Sequence, residues 1–217
     1  MEEWIVENYS VFSICRFRER VFPSQTPIFS YRFHPGVYAL TGQIDNGGWA
    51  FTYSLTPIND ADVRMDGNSN IVLNKQPLSL QQLRAISHYL GQFDDSIGQL
   101  SADQLLRKFQ KNGVISLTAG EIQEKFKLTE ARWSRPLSAT GNEIWRITAA
   151  LGFVQKKKIF CFPWMTNRQL QSQLNTISYL GKVLSENNCY VLLPVENEDL
   201  VKEVVTDVID LSYAQLY

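Results

Sequence analysis

A glycine-rich turn is the segment whose residue types and spacing bear most directly on chemistry: Leu40-Thr41-Gly42-Gln43-Ile44-Asp45-Asn46-Gly47-Gly48-Trp49-Ala50, directly after the apolar run Gly36-Val37-Tyr38-Ala39-Leu40. At the carboxyl end of a parallel strand, such a turn aims backbone N–H groups at a phosphate. Set against the phosphate-cradling pattern G-x-x-x-x-G-K-[ST], Gly42 and Gly47 stand at the framing glycines, while Gly48 replaces the lysine and Trp49 the hydroxyl residue. Glycines in a strand-to-helix turn equally serve backbone geometry alone. Other reactive residue types are dispersed. Cys15, Cys161 and Cys189 lack C-x-x-C spacing and read as reduced, buried thiols. The histidines are His34 and His88, and no Ser/His/Asp set or His/Cys metal cluster is apparent. Asp94-Asp95 and the Glu196/Asp199 pair read as solvated loop charges.

The elements that must position the turn alternate in type. Apolar runs at Gly36-Val37-Tyr38-Ala39-Leu40, Ile159-Phe160-Cys161-Phe162 and Tyr190-Val191-Leu192-Leu193 predict buried, parallel strands. Helical patterns cover 80–89, 102–110 with Ser101 as cap and Gly113 just beyond, 143–153 and 169–186, and Thr118-x-x-Glu121 opens a further short helix. This alternation predicts an α/β fold. The helical stretch 101–128 predicts an inserted subdomain. A chain of 217 residues, 44% hydrophobic and 20% charged, is long enough for one core, with no repeat or linker to force a boundary. The formal net charge of −1 carries no polyanion-binding signature, and the run Lys156-Lys157-Lys158 reads as loop lysines, so no nucleic-acid partner is expected. The start Met1-Glu2-Glu3-Trp4 is acidic and no apolar stretch approaches the roughly 18 residues of a membrane span, so the expected location is cytoplasmic.

Further motifs follow in order. His88-Tyr89-Leu90-Gly91-Gln92 reads as a strand end delivering a glutamine. Thr140-Gly141-Asn142-Glu143, then Trp145-Arg146-Ile147, resembles S-G-G-[QE] and the helix it caps, with Asn142 in place of the second glycine. Without a gap from that register, Lys158-Ile159-Phe160-Cys161-Phe162 falls on a buried strand and Pro163-Trp164-Met165-Thr166 on D-E-P-T. Starting the signature at Leu137-Ser138 instead needs an insertion before Arg146. With the glycine turn, this order resembles the ABC transporter ATPase family along nearly the whole chain. The resemblance implies a single P-loop NTPase-like domain over 1–217, with a mainly parallel sheet, flanking helices and a helical subdomain at approximately 96–140. It further implies a degenerate nucleotide site at Gly42, Asn46, Gly47, Gly48 and Gln92, and a partner-site signature at Thr140, Gly141, Asn142 and Glu143.

The departures fall on specific chemistry. Gly48 offers phosphate no charged hydrogen bond. Trp49 and Pro163 give magnesium no side-chain oxygen. Trp164 has no acceptor to orient water. Pro194-Val195-Glu196-Asn197 lacks the family's switch histidine. No catalytic residue, no metal site and no cofactor beyond weak ATP or ADP binding is therefore expected, with Trp49 and Trp164 flanking and filling the phosphate pocket. As core aromatics, they would leave the fold as a scaffold. The implied partners are an intact ABC ATPase subunit in a heterodimer, or a second copy in a homodimer, and a membrane permease, placing the chain at the inner face of the cell membrane. The alternatives are a weakly active ATPase subunit of an ABC exporter with groups such as Asp45 or Asn46 as metal ligands, and a soluble regulator on the same fold.

Overall fold

The fold is that of a computed structural model, which describes residues 2–17, 20–44, 47–56, 62–65, 67–91, 93, 95–111 and 117–212. In chain order the elements are β1 (Trp4–Tyr9), β2 (Val11–Phe17), β3 (Arg20–Gln25), β4 (Phe29–Phe33), β5 (Gly36–Thr41), α1 (Gly48–Ser54), β6 (Val63–Met65), β7 (Asn70–Leu73), β8 (Gln76–Pro77), α2 (Leu80–Ala85), β9 (Ser87–Tyr89), α3 (Asp95–Gly98), α4 (Ala102–Lys111), α5 (Ala119–Phe126), α6 (Glu130–Trp133), α7 (Ile144–Val154), β10 (Ile159–Cys161), α8 (Asn167–Ser185), β11 (Tyr190–Val195) and β12 (Asp207–Asp210).

Five strands form the central sheet in the order β12-β5-β11-β10-β9, and every neighbouring pair is parallel. Its inner strands are apolar along their length because both faces are covered. In β11, Tyr190 and Leu192 join one core cluster, whereas Val191, Leu193 and Val195 join the other. Helices α4, α5, α7 and α8 supply the second face through Leu106, Phe126, Leu151 and Leu180. Capping boxes at Thr118 and Thr166 start α5 and α8, and Ser101 Oγ accepts the Gln104 N–H at the start of α4. Gly113 lies outside the described residues.

Two differences from the sequence-based expectation concern β structure. Strands β1 to β4 and β6 to β8, for which no strand is expected from the sequence, build two antiparallel sheets, β4-β1-β7-β8 and β3-β2-β6. Their alternation is short and interrupted: β1 shifts register between Val6 and Tyr9, where Asn8 has φ 48°. The helix expected over 80–89 ends at Ala85, and Ser87–Tyr89 is the edge strand β9 beside β10, in keeping with the strand end read at His88-Tyr89. Pairing with a buried parallel neighbour outweighs helical periodicity there.

The ends of the helical run meet. The Leu137 N–H donates to Leu100 O at 3.0 Å, and Ser101 bridges to Pro136. Leu105, Ile122, Phe126 and Trp133 pack in the same core as α7 and α8. No helix among the described residues is long and apolar enough to cross a membrane.

Candidate functional site

The turn after β5 lies at the carboxyl end of the parallel sheet, where folds of this class hold ligands, but its own backbone uses it. The Gly47 N–H donates to Gln25 O of β3 at 2.9 Å, and the Gly42 N–H to Val195 O of β11 at 3.0 Å. Gly47 has φ 89°, and a Cβ there would stand 2.8 Å from both Thr41 O and Leu211 O. A Cβ on Gly48 would overlap Leu40 Cβ and lie 2.5 Å from Leu40 O. These glycines permit backbone-on-backbone packing. The Gly42 and Gly47 amides, at the framing glycines of the expected nucleotide site, are thus bonded inside the protein. Asn46 and Gln92, also expected at the nucleotide site, lie outside the described residues, as does Asp45.

Helix α1 is only seven residues long and every one is buried, with no side-chain cap at its start. The cause is the antiparallel sheet β3-β2-β6, which covers the helix on the side away from β11. Ser13 Oγ of β2, for example, donates to Ala50 O at 3.1 Å.

Trp49 and Trp164 come together beside this turn, with ring centroids 6.4 Å apart and planes 29° from parallel. Trp49 is 2% exposed and its indole N–H donates to Tyr89 Oη at 3.0 Å, while Phe22 packs on its other neighbourhood at 5.5 Å. Burial drives the Tyr89 phenol well above its usual range, and the Trp49 hydrogen bond only partly opposes this. Trp164 Nε1 reaches toward Gly42 O at 3.5 Å. Pro163 is buried. Sequence reasoning missed Tyr89, Gln25 and Leu40 as determinants of this site.

A cleft of about 490 Å³ opens next to the turn, lined among others by Gln43, Asn167, Glu196, Glu198 and Asp210, with no basic side chain in its wall among the described residues. Asp210 is held below the usual carboxylate range by hydrogen bonds from the Ser212 hydroxyl and backbone N–H, aided by Thr41. Glu198 is offset by Lys202 at 2.9 Å, and Glu196 is exposed. An acidic wall repels a polyphosphate instead of neutralising it. The bonded Gly42 and Gly47 amides, no room at position 48, two stacked indoles and an acidic wall, all among the described residues, do not fit a magnesium nucleotide. Among the described residues, no group of three or more His, Cys, Asp or Glu side chains could hold a metal ion.

The signature-like segment lies at the start of α7. Thr140, expected to offer its hydroxyl to a partner, is fully buried and donates that hydroxyl to Leu137 O at 2.7 Å, so this expectation is corrected. The cause is a 3-10 turn over Leu137–Ala139 that presents its carbonyl inward. Gly141 is exposed with φ 59°, and a Cβ there would meet only Arg132 Nη1 at 3.9 Å. Glu143 is the N-cap of α7 but makes no side-chain capping bond. Asn142 continues the backbone of this segment, and its side chain lies outside the described residues.

An all-parallel sheet with a glycine turn and buried helix after β5, helices on one face and antiparallel β structure on the other defines a P-loop NTPase-like α/β domain of the ABC ATPase type. No family model and no curated protein matches the sequence. By structure the chain is similar to MJ1267, an ATP-binding cassette of an ABC transporter, with a TM-score of 0.67, 11% identity, and 97% of this chain and 88% of that one covered. The ADP conformation of MJ1267 gives a TM-score of 0.66 at 11% identity, covering 97% of this chain and 87% of that one. The chain is also similar to cbiO1 from Clostridium perfringens, part of the ABC transporter complex cbiONQ, with a TM-score of 0.59, 11% identity, and 96% and 84% coverage. At these identities the likeness is one of fold.

Proposed function

We propose that this chain is a non-hydrolysing subunit of the ABC nucleotide-binding type, which acts by association with an intact ABC ATPase subunit or a second copy, and with a membrane permease, at the cytoplasmic face of a membrane. The observation that carries this reading is the glycine turn, whose Gly47 N–H is bonded to Gln25 O and whose Gly48 has no room for a side chain. Residues at approximately 96–140 serve as the helical subdomain, a role supported by the Leu100–Leu137 closure. The neighbours' transporter context supports the partners.

The test is phosphate release from magnesium ATP by the purified chain, alone and after co-expression with an intact ABC ATPase subunit and permease. Background turnover alone, with co-purification in the complex, is the expected result. Saturable turnover by the isolated chain, lost when the turn is altered at Gly42, would overturn the reading.

A further inference from the structure

A cluster of cations gathers on the face formed by α5, α7 and α8, away from the glycine turn. Tyr179 of α8 is its centre. Lys127 Nζ stands 4.2 Å from the Tyr179 ring centroid and Arg146 Cζ of α7 stands 5.8 Å from it, while the Tyr179 hydroxyl donates to Lys125 O at 2.7 Å. Lys125 Nζ lies over Phe153 at 5.3 Å and donates to Asn187 Oδ1 at 3.2 Å. We propose that Lys127 and Arg146 at the Tyr179 ring, with Lys125 over the Phe153 ring, form a docking site for an acidic peptide segment of a partner protein.

Three features carry this. None of the three cations has a carboxylate within ion-pair distance among the described residues, whereas Arg32, Arg107 and Lys202 on the surface each have one. The side chains are also held in place: Arg146 Nη1 donates to Lys127 O at 3.4 Å, and two aromatic rings carry the lysine amines, so a ligand need not order them. Lastly, Lys127 and Arg146 share one ring and so stand within about 10 Å of each other, close to a Debye length, and their repulsion is relieved by incoming negative charge. The negative end of α5 accounts for Lys125 and Lys127. It does not account for Arg146, which begins another helix.

The chemistry of the occupant follows from the setting. Two cations at the Tyr179 ring and a third over Phe153 suit several separate carboxylates along a short segment. Exposed Glu121, Glu124 and Glu130 lie on α5 and α6, and with a net charge of −1 they oppose a broad polyanion such as an anionic membrane or a nucleic acid.

The probe is a fluorescein-labelled hexaglutamate peptide, titrated against the full chain at low and high salt. Lys127→Met keeps the aliphatic stem over Tyr179. Combined with Arg146→Gln, it should weaken binding by about tenfold, while Lys108→Gln should change it less than about twofold. Because the double variant can lose fold, the wild-type chain is also footprinted by lysine acetylation, with the peptide expected to protect Lys125 and Lys127 ahead of Lys108 and Lys182. Equal weakening by the control, uniform protection, or preferential binding to phosphatidylserine vesicles or a single-stranded oligonucleotide over the peptide would overturn the proposal.

Discussion

The indole N–H of Trp49 donates to the phenolic oxygen of Tyr89 at 3.0 Å, and this bond joins the start of α1 to the edge strand β9 deep in the protein. Trp49 is 2% and Tyr89 6% exposed, so water replaces neither partner readily. Trp49→Phe should cost about 1–3 kcal/mol, since it removes the donor and leaves a buried hydroxyl short of a partner. Tyr89→Phe should cost a similar amount. In urea unfolding, the double variant should fall short of the sum by about 1 kcal/mol, and additive losses would show that the bond contributes nothing.

Placing a lysine at position 48 should harm the protein. Gly48→Lys places a Cβ against Leu40 Cβ and within 2.5 Å of Leu40 O, a backbone atom that cannot move aside as a side-chain end can. We expect a loss of about 2–4 kcal/mol and no gain in ATP turnover. Thermal unfolding and phosphate release, measured on one preparation, check both halves. A variant that melts like the wild type would mean that the turn has slack.

The Gly47 amide offers a direct readout of the same turn. Because it already donates to Gln25 O at 2.9 Å, its hydrogen exchange should be slow, and its NMR shift should stay fixed when magnesium ATP is added. A shift that saturates with ATP would show that the donor is released to a ligand.

The fold was legible where burial is two-sided. Apolar runs such as Tyr190 to Leu193 need no partner to be recognised as inner parallel strands, and Thr118 and Thr166 announce their helices through local hydrogen bonds. The antiparallel strands were not legible, because Trp4 and Val6 alternate with partly or fully exposed residues over only a few positions before the irregularity at Asn8. At the site, the residues Gly48 and Trp49 could be read directly from the sequence. What surrounds them could not, because Gln25 and Tyr89 are brought to the turn from strands distant in the chain. Thr140 shows the opposite error: a hydroxyl at the right position in sequence points inward because of the turn before it.

His88 gives the protein an acid sensitivity of known sign. Burial, with the Lys157 charge adding to it and a Thr148 hydrogen bond opposing it, pushes the imidazole down to about 4 from 6.5. Its Nε2 has no hydrogen-bond partner among the described residues, and Gly152 leaves the ring just enough room. Above pH 6.5 both folded and unfolded chains hold it neutral. Between 6.5 and 4 the unfolded chain takes the proton first, so stability falls as pH falls, by about 3 kcal/mol when complete. Comparing wild type with His88→Leu across this window should isolate that slope, and parallel curves would reject it.

The final prediction concerns the surface offered to a partner. With the Thr140 hydroxyl turned inward, the exposed element of the signature-like segment is the backbone at Gly141, which has φ 59° and open space around its Cα. Bulk added there should reach outward instead of into the core, leaving the fold largely intact. In a complex with an intact ABC ATPase subunit, Gly141→Trp should lower the partner's turnover by about tenfold if this surface completes the partner's site. Gly141→Ala separates bulk from strain, because it carries the same left-handed backbone penalty with one carbon added. The alanine variant should therefore match wild type in turnover and match the tryptophan variant in stability. If the complex forms and the tryptophan variant leaves the partner's rate unchanged, the segment contributes nothing to the partner's chemistry and the chain serves as a scaffold alone.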